Sequence, residues 1–247
     1  MKQCLPTQHP FLWDRGHMYD LSLGGSLGGS GVINGRGQAI GDSLIADDSE
    51  DHAFLWSDGK VRDLGTLGGT FSQPTGLTEK THISGVSSPA GDQVVYAVLW
   101  KDGAIHDLGT VDGDGCSWAW GLNSLDQVVG ISVPSCDMSL ARAFVWERGT
   151  MFDLNALIPP NSSLHLVYGE AINDAGVIAG IGVPPGVSPS DVETLGHAFV
   201  LVPLAEMCDS VGSHAIQSPR LPSDLKPATE ELIRHMRALH KRTGRIQ

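Results

Sequence analysis

Four aspartates, Asp20, Asp63, Asp107 and Asp153, each stand 11 residues after His9, His52, Tyr96 or Arg142. A histidine paired with a carboxylate could serve proton transfer or hold a metal. The partner position, however, takes His, Tyr and Arg in turn, which no conserved ligand set or general base would tolerate. A carboxylate recurring at one point of a repeated phrase is better explained by hydrogen bonds at a turn and strand end. Trp13, Trp56, Trp100 and Trp146 recur in the same way and read as packing between repeats rather than as a ligand box.

Chemistry is better sought where one copy departs from its siblings. Aligned on Asn34, Thr78, Asn123 and Asn173, the position three residues earlier holds Gly31, Thr75, Trp120 and Glu170. Five residues earlier stand Gly29, Gln73, Trp118 and Tyr168. With strict alternation along a strand, both positions face the same way. If that strand lines a channel or its mouth, Trp118, Trp120, Tyr168 and Glu170 converge. Aromatic faces beside a carboxylate suit a glycan or other small polar ligand. The plainer reading is that bulky residues fill space where neighbours carry glycine. Glu170 is also the one catalytic candidate, but a glycosidase needs two carboxyl groups about 5–9.5 Å apart, and no second is nominated.

Other signals are thinner. Val111–Gly115, VDGDG, offers Asp112 and Asp114 to a calcium ion but lacks the later oxygen ligands and closing glutamate of an EF-hand loop, so a local turn competes with calcium there. The acidic run Asp47, Asp48, Glu50, Asp51 reads as a solvated loop. No Cys/His spacing fits zinc, no phosphate-cradling glycine loop is evident, and no G-x-S-x-G elbow occurs. Calcium is therefore the only cofactor considered.

The elements that must position these residues come from a phrase stated repeatedly. DHAFLWSDGKVRDLGTLGG at Asp51–Gly69 returns as YAVLWKDGAIHDLGT from Tyr96 and RAFVWERGTMFDLN from Arg142. An eroded copy, HPFLWDRGHMYDLS, opens at His9, and a clipped one, HAFVLVPL, closes at His197. Each full copy holds two β-rich runs around Arg15-Gly16, Asp58-Gly59, Asp102-Gly103 or Arg148-Gly149, which are hairpin turn signals. A second hairpin follows, its first strand ending at Asn34, Thr78, Asn123 or Asn173. Its second strand carries a glycine seven residues later, at Gly41, Gly85, Gly130 or Gly180. Glycine kept inside a strand marks a close backbone approach or a bulge.

Copies begin 43, 44, 46 and 55 residues apart, the last stretched by insertions at 159–166 and 184–196. Four short strands per unit of that length predict an all-β fold, a β-propeller of four to five four-stranded blades over residues 1–204. About 17 strands are expected, one more than a four-bladed ring needs, so an open arc that dimerises is the other arrangement considered. The residues HAFLWSDGKVRDLGTLGG, with GLN at Gly121–Asn123 and QVVG at Gln127–Gly130, resemble the HAF repeat family of bacterial, mostly predicted-extracellular proteins. The resemblance covers about Pro10–Leu204. The first copy departs from it, with Asp-Leu-Ser for Asp-Leu-Gly, as does the last, with Leu201 in place of Trp. It implies a repeat architecture and a tendency to export, and it brings no catalytic residues.

Formal net charge is −12, carried by residues 1–204, an acidic body that argues against nucleic-acid binding. No apolar stretch approaches the length of a membrane span, and Met1–Phe11 lacks the apolar core of a signal peptide. Cys116 and Cys136 flank one hairpin, and Cys4 and Cys208 lie outside the first and last copies. Both spacings suggest disulfides and an extracellular or periplasmic setting, against the alternative of scattered buried thiols. Residues 205–226 read as a linker and 227–247 as a C-terminal helix and tail, a possible docking element for a protein partner. The leading expectation is an extracellular binding or scaffolding module for a glycan or small polar ligand. A propeller-type polysaccharide hydrolase or lyase and a protein–protein scaffold are the alternatives.

Overall fold

A computed structural model describes residues 7–203. The chain divides into Met1–Leu204 and Ala205–Gln247, and the described residues all lie in the first. Cys4, Cys208, the linker at 205–226 and the helix at 227–247 lie outside them.

The repeated phrase folds as expected into hairpins: β1 (Phe11–Asp14) with β2 (His17–Asp20), β5 (Asp51–Ser57) with β6 (Lys60–Asp63), β9 (Tyr96–Lys101) with β10 (Ala104–Asp107), and β13 (Arg142–Glu147) with β14 (Thr150–Asp153). Both turn residues have positive φ in every case, for example Asp58 at 52° and Gly59 at 77°. That geometry matches the twist of the flanking strands, which explains the Asp-Gly and Arg-Gly pairs. The second set of hairpins is β3 (Gly24–Ile33) with β4 (Ala39–Ile45), β7 (Gly68–Leu77) with β8 (Ile83–Pro89), β11 (Cys116–Leu122) with β12 (Val128–Val133), and β15 (His165–Ile172) with β16 (Ile178–Val183). The last strand, β17 (His197–Leu201), pairs with β16.

The described residues are mostly β, with one short α-helix among them, α1 (Val192–Leu195). Strands β3–β6, β7–β10 and β11–β14 form successive antiparallel four-stranded meanders, β15–β17 form a three-stranded one, and β1–β2 stand apart as a two-stranded sheet. A single parallel bridge between Asp51 and Phe71 joins the first two meanders. Among the described residues no ladder joins β15–β17 to β1–β2 or β3–β6, so the strand pairing shows a succession of four-stranded units and no closed ring.

The units are held by one contact repeated at every seam. The leucine of each Asp-Leu pair packs against the next unit's HAF-type strand: Leu21 with Phe54, Leu64 with Val98 and Trp100, Leu108 with Phe144 and Trp146, and Leu154 with Phe199. Burying such a leucine contributes about 1.5–3 kcal/mol. Trp100 adds a hydrogen bond from its Nε1 to the Leu64 carbonyl, 3.0 Å away. The tryptophans thus pack between units, as expected, except Trp13, which is 64% exposed. Polar stitches run alongside. Asn34 Nδ2 donates to the Thr78 carbonyl and Asn123 Nδ2 to the Asn173 carbonyl, at 3.1 and 2.9 Å.

The in-strand glycines mark close approach. Gly41, Gly130 and Gly180 lie opposite Phe54, Phe144 and Phe199 in the ladders. A methyl on Gly130 would overlap the Trp118 carbonyl and come within 2.9 Å of the Phe144 ring. Since neither a carbonyl in a ladder nor a fully buried ring can retreat, Gly130→Ala should lower stability by about 3 kcal/mol. Gly29→Ala, whose added carbon meets nothing closer than 3.9 Å, should change it by less than about 0.5 kcal/mol. Urea unfolding of the two variants measures the difference.

Candidate functional site

The departures at Trp118, Trp120, Tyr168 and Glu170 fall on β11 and β15, the first strands of adjacent units. Strand β11 is anchored at its start by a disulfide between Cys116 and Cys136, with Cα atoms 5.0 Å apart, as the spacing suggested. The strands do not alternate strictly. In β11 Ala119 pairs with Gly130 and Gly121 with Val129, so Trp120 is the extra residue of a β-bulge. Glu170 takes the same place in β15, Gly31 in β3 and Thr75 in β7. The position chosen for its variability is therefore a bulge in all four units, and a bulge bends the strand and re-aims its side chain. Plain two-residue alternation could not supply that.

The bulge sends Trp120 across the seam. Its ring meets Tyr168 edge-on, with centroids 4.8 Å apart and planes 89° apart. Trp118, Trp120 and Tyr168 all pack, partly exposed, on one buried cluster that includes Val133, Val167, Val183 and Val192. Thr75, at the equivalent bulge one unit earlier, also crosses its seam, donating to the Ala119 carbonyl at 2.9 Å. Burial raises the Tyr168 pKa above its ordinary value, and the negative charges of Glu193 and Glu170 raise it further. The sequence-selected aromatics and Glu170 thus share one neighbourhood. Sequence reasoning missed Glu193, which rides on α1 inside the insertion at 184–196. The signal was there, because that insertion is what lengthens the fourth unit.

Other candidates resolve into structure. The repeated aspartates accept backbone N–H bonds two residues on, from Ser22, Gly65, Gly109 and Asn155, at 2.7–2.8 Å. The 11-residue spacing sets His9 against Asp20 and His52 against Asp63 across their hairpins, at 2.7 and 2.9 Å. Asp114 engages the Arg142 guanidinium through both oxygens and accepts from Ser132 Oγ at 2.7 Å. Asp112 has positive φ in a tight turn closed by Asp114 N–H to the Val111 carbonyl. Among the described residues no cluster of three or more metal-ligating side chains occurs.

One polar cluster had no warning in the sequence. Asp51, expected in a solvated loop, instead opens β5 at the seam with β7, and its buried Oδ1 has no hydrogen-bond partner among the described residues. Asp42, on β4, accepts from Gln73 Nε2 at 3.3 Å. Burial raises the pKa of Asp42. Burial, then the charge of Asp42, raises Asp51 to about 6, against the opposing pull of His52. Raised carboxyl pKa values favour the protonated form in the folded chain. This stabilisation is therefore full below about pH 4 and is lost as pH rises through about 6. His52 adds to the trend. Burial disfavours its charge, but bonds to Asp63 and Glu50 raise its pKa overall, so its contribution is also lost on raising pH. Asp51→Asn should match the native chain near pH 4 and exceed its stability at pH 8 by about 1 kcal/mol, allowing for solvent screening of a half-exposed group. Its melting temperature should fall less steeply with pH, which calorimetry across that range measures.

No family model and no curated protein matches this chain. Among solved structures it is similar to an acylaminoacyl peptidase of Pyrococcus horikoshii (orthorhombic crystal form), at 15% identity and a TM-score of 0.37, over 70% of this chain. The match spans 28% of that peptidase.

Proposed function

We propose that residues 7–203 are a run of β-propeller-type blades of the HAF repeat kind. On this reading they serve as a binding or scaffolding module outside the cytoplasm, with a glycan or small polar ligand as partner. The observation that carries the reading is the meeting of Trp120 and Tyr168 across the seam, beside Trp118 and within reach of the charges of Glu170 and Glu193. Partly exposed aromatic rings supply stacking faces, and carboxylates accept from hydroxyl groups. The disulfide between Cys116 and Cys136 supports an oxidising setting.

A second reading gains one observation. The charges of two carboxylates, Glu170 and Glu193, act on Tyr168, so Glu193 is a candidate for the second acid that a polysaccharide hydrolase would need. The two readings separate experimentally. For a binding module, a glycan array yields a ligand whose affinity falls roughly 10- to 30-fold in Trp120→Ala, with the polysaccharide left intact. For the enzyme, reducing ends or unsaturated products accumulate from a polysaccharide panel and are lost in Glu170→Gln and Glu193→Gln. No glycan binding rejects the binding module, and no product from any polysaccharide of the panel rejects the enzyme.

A further inference from the structure

The aromatic seam between the third and fourth units has a shape and a charge that together narrow what it can hold. The Trp120 and Tyr168 rings meet with centroids 4.8 Å apart and planes at 89°, so they stand as two walls of a corner. Trp118 packs on the same buried cluster, and all three keep part of their surface in solvent. A pyranose ring is broad and stacks on one open aromatic face, whereas a corner between perpendicular rings suits a compact, rounded group. Aromatic faces carry negative charge density. The rounded group they favour is a cation.

Charge points the same way. Burial first, then the negative charges of Glu193 and Glu170, hold the Tyr168 phenol above its ordinary pKa, so both carboxylates act on the corner. The insertion at 184–196 sets Val187 and Val192 into the cluster and carries Asp191 and Glu193. The turn at Met138–Leu140 follows Asp137, sets Met138 into the same cluster and lies against Pro189–Asp191. Neither segment contains a Lys or Arg, nor does β11 or β15.

The cations nearby have other work. Between Cys116 and Pro203 the only Lys or Arg residues are Arg142 and Arg148. Arg142 is held by Asp114 and Asp153. Arg148 stands in the β13–β14 turn, at the opposite edge of the sheet from β11. From the preceding unit, Lys80 and Lys101 are bound at the β11–β12 turn by the Ser124 carbonyl and Asp126. His165 of β15 faces the Ala141 carbonyl at 3.0 Å.

We propose that this seam is a selective site for an organic cation, a quaternary or protonated amine seated against Trp120 and Tyr168 in the field of Glu170 and Glu193. It rests on the seam being a binding site, and it names the charge class of the ligand. Anionic glycans such as uronates are rejected by the same carboxylates. A neutral glycan gains contact with the rings and nothing from the charge, while an amino sugar gains both.

Titration calorimetry on the full chain tests this with two matched pairs of probes. Choline is compared with its uncharged analogue, in which a tert-butyl group replaces the trimethylammonium. A glucosamine oligomer is compared, at mildly acidic pH, with its neutral N-acetylated counterpart. Choline should saturate the site at millimolar concentration and bind about tenfold or more tighter than its analogue. A matching preference for the glucosamine oligomer identifies a sugar as a source of the ammonium, and a preference for choline alone identifies a free amine. Trp120→Leu and Glu193→Gln should each weaken choline about threefold to tenfold, and added salt should weaken it further, with the neutral probes unchanged. Near-ultraviolet circular dichroism checks that each variant keeps its fold. Choline binding no tighter than its analogue overturns the proposal. If the neutral oligomer then binds and loses affinity in Trp120→Ala, the seam still binds glycan and only its charge selection falls. Silence of both cations in the full chain also overturns it, whatever fills the corner, and the glycan array then decides the binding module by itself.

Discussion

Everything in the described chain depends on one apolar contact, the leucine of an Asp-Leu pair seated against the HAF-type strand of the following unit. A four-stranded meander has two faces and cannot bury both by itself, so each unit is stable only against its neighbours. The repeated residues divide this work. Aspartate closes the turn that aims the leucine, glycine lets the facing strand lie close under an aromatic ring, and asparagine ties the loop to the next unit. Because the same contact is used at every seam, the residues that make it are poor places to look for a specific activity.

The candidate site illustrates how such a framework can acquire specificity. The bulge recurs in all four units, but three of its eight aligned side chains are bulky aromatics, and all three lie in the third and fourth units. There the bulge carries Trp120 over the seam to Tyr168, and an insertion supplies Glu193 from outside the repeat. The disulfide at the start of β11 holds the strand that bears both tryptophans. Elsewhere the same positions carry Gly31, Thr75 and Gln73, which serve as spacer or seam hydrogen bonds. A regular scaffold with one elaborated seam is economical, since the unelaborated seams maintain stability while the other is free to change.

Much of this was legible in the chain. The turns, strand positions, in-strand glycines and the Cys116–Cys136 pair follow from local chemistry, because positive φ, hairpin closure and close approach each demand particular residue types at fixed spacing. The cluster of Trp118, Trp120, Tyr168 and Glu170 was also legible, through comparison of the repeats with one another. The bulges were not, because a bulge is defined by the partner strand's register and leaves no residue type of its own behind. Asp51 was misplaced for a similar reason, since Asp42, whose charge acts on it, and Phe71, which pairs with it, come from other strands.

The sequence by itself therefore determined the metre of the unit, its all-β character and the column of residues in which departures occur. Those are properties of segments a few residues long, written by steric and hydrogen-bonding rules that act within a hairpin. Only the tertiary structure decided which departures touch and that Glu193 joins them. Each of those depends on what lies across a seam, and a seam is made by packing between segments roughly 40–50 residues apart in a repeat of this period.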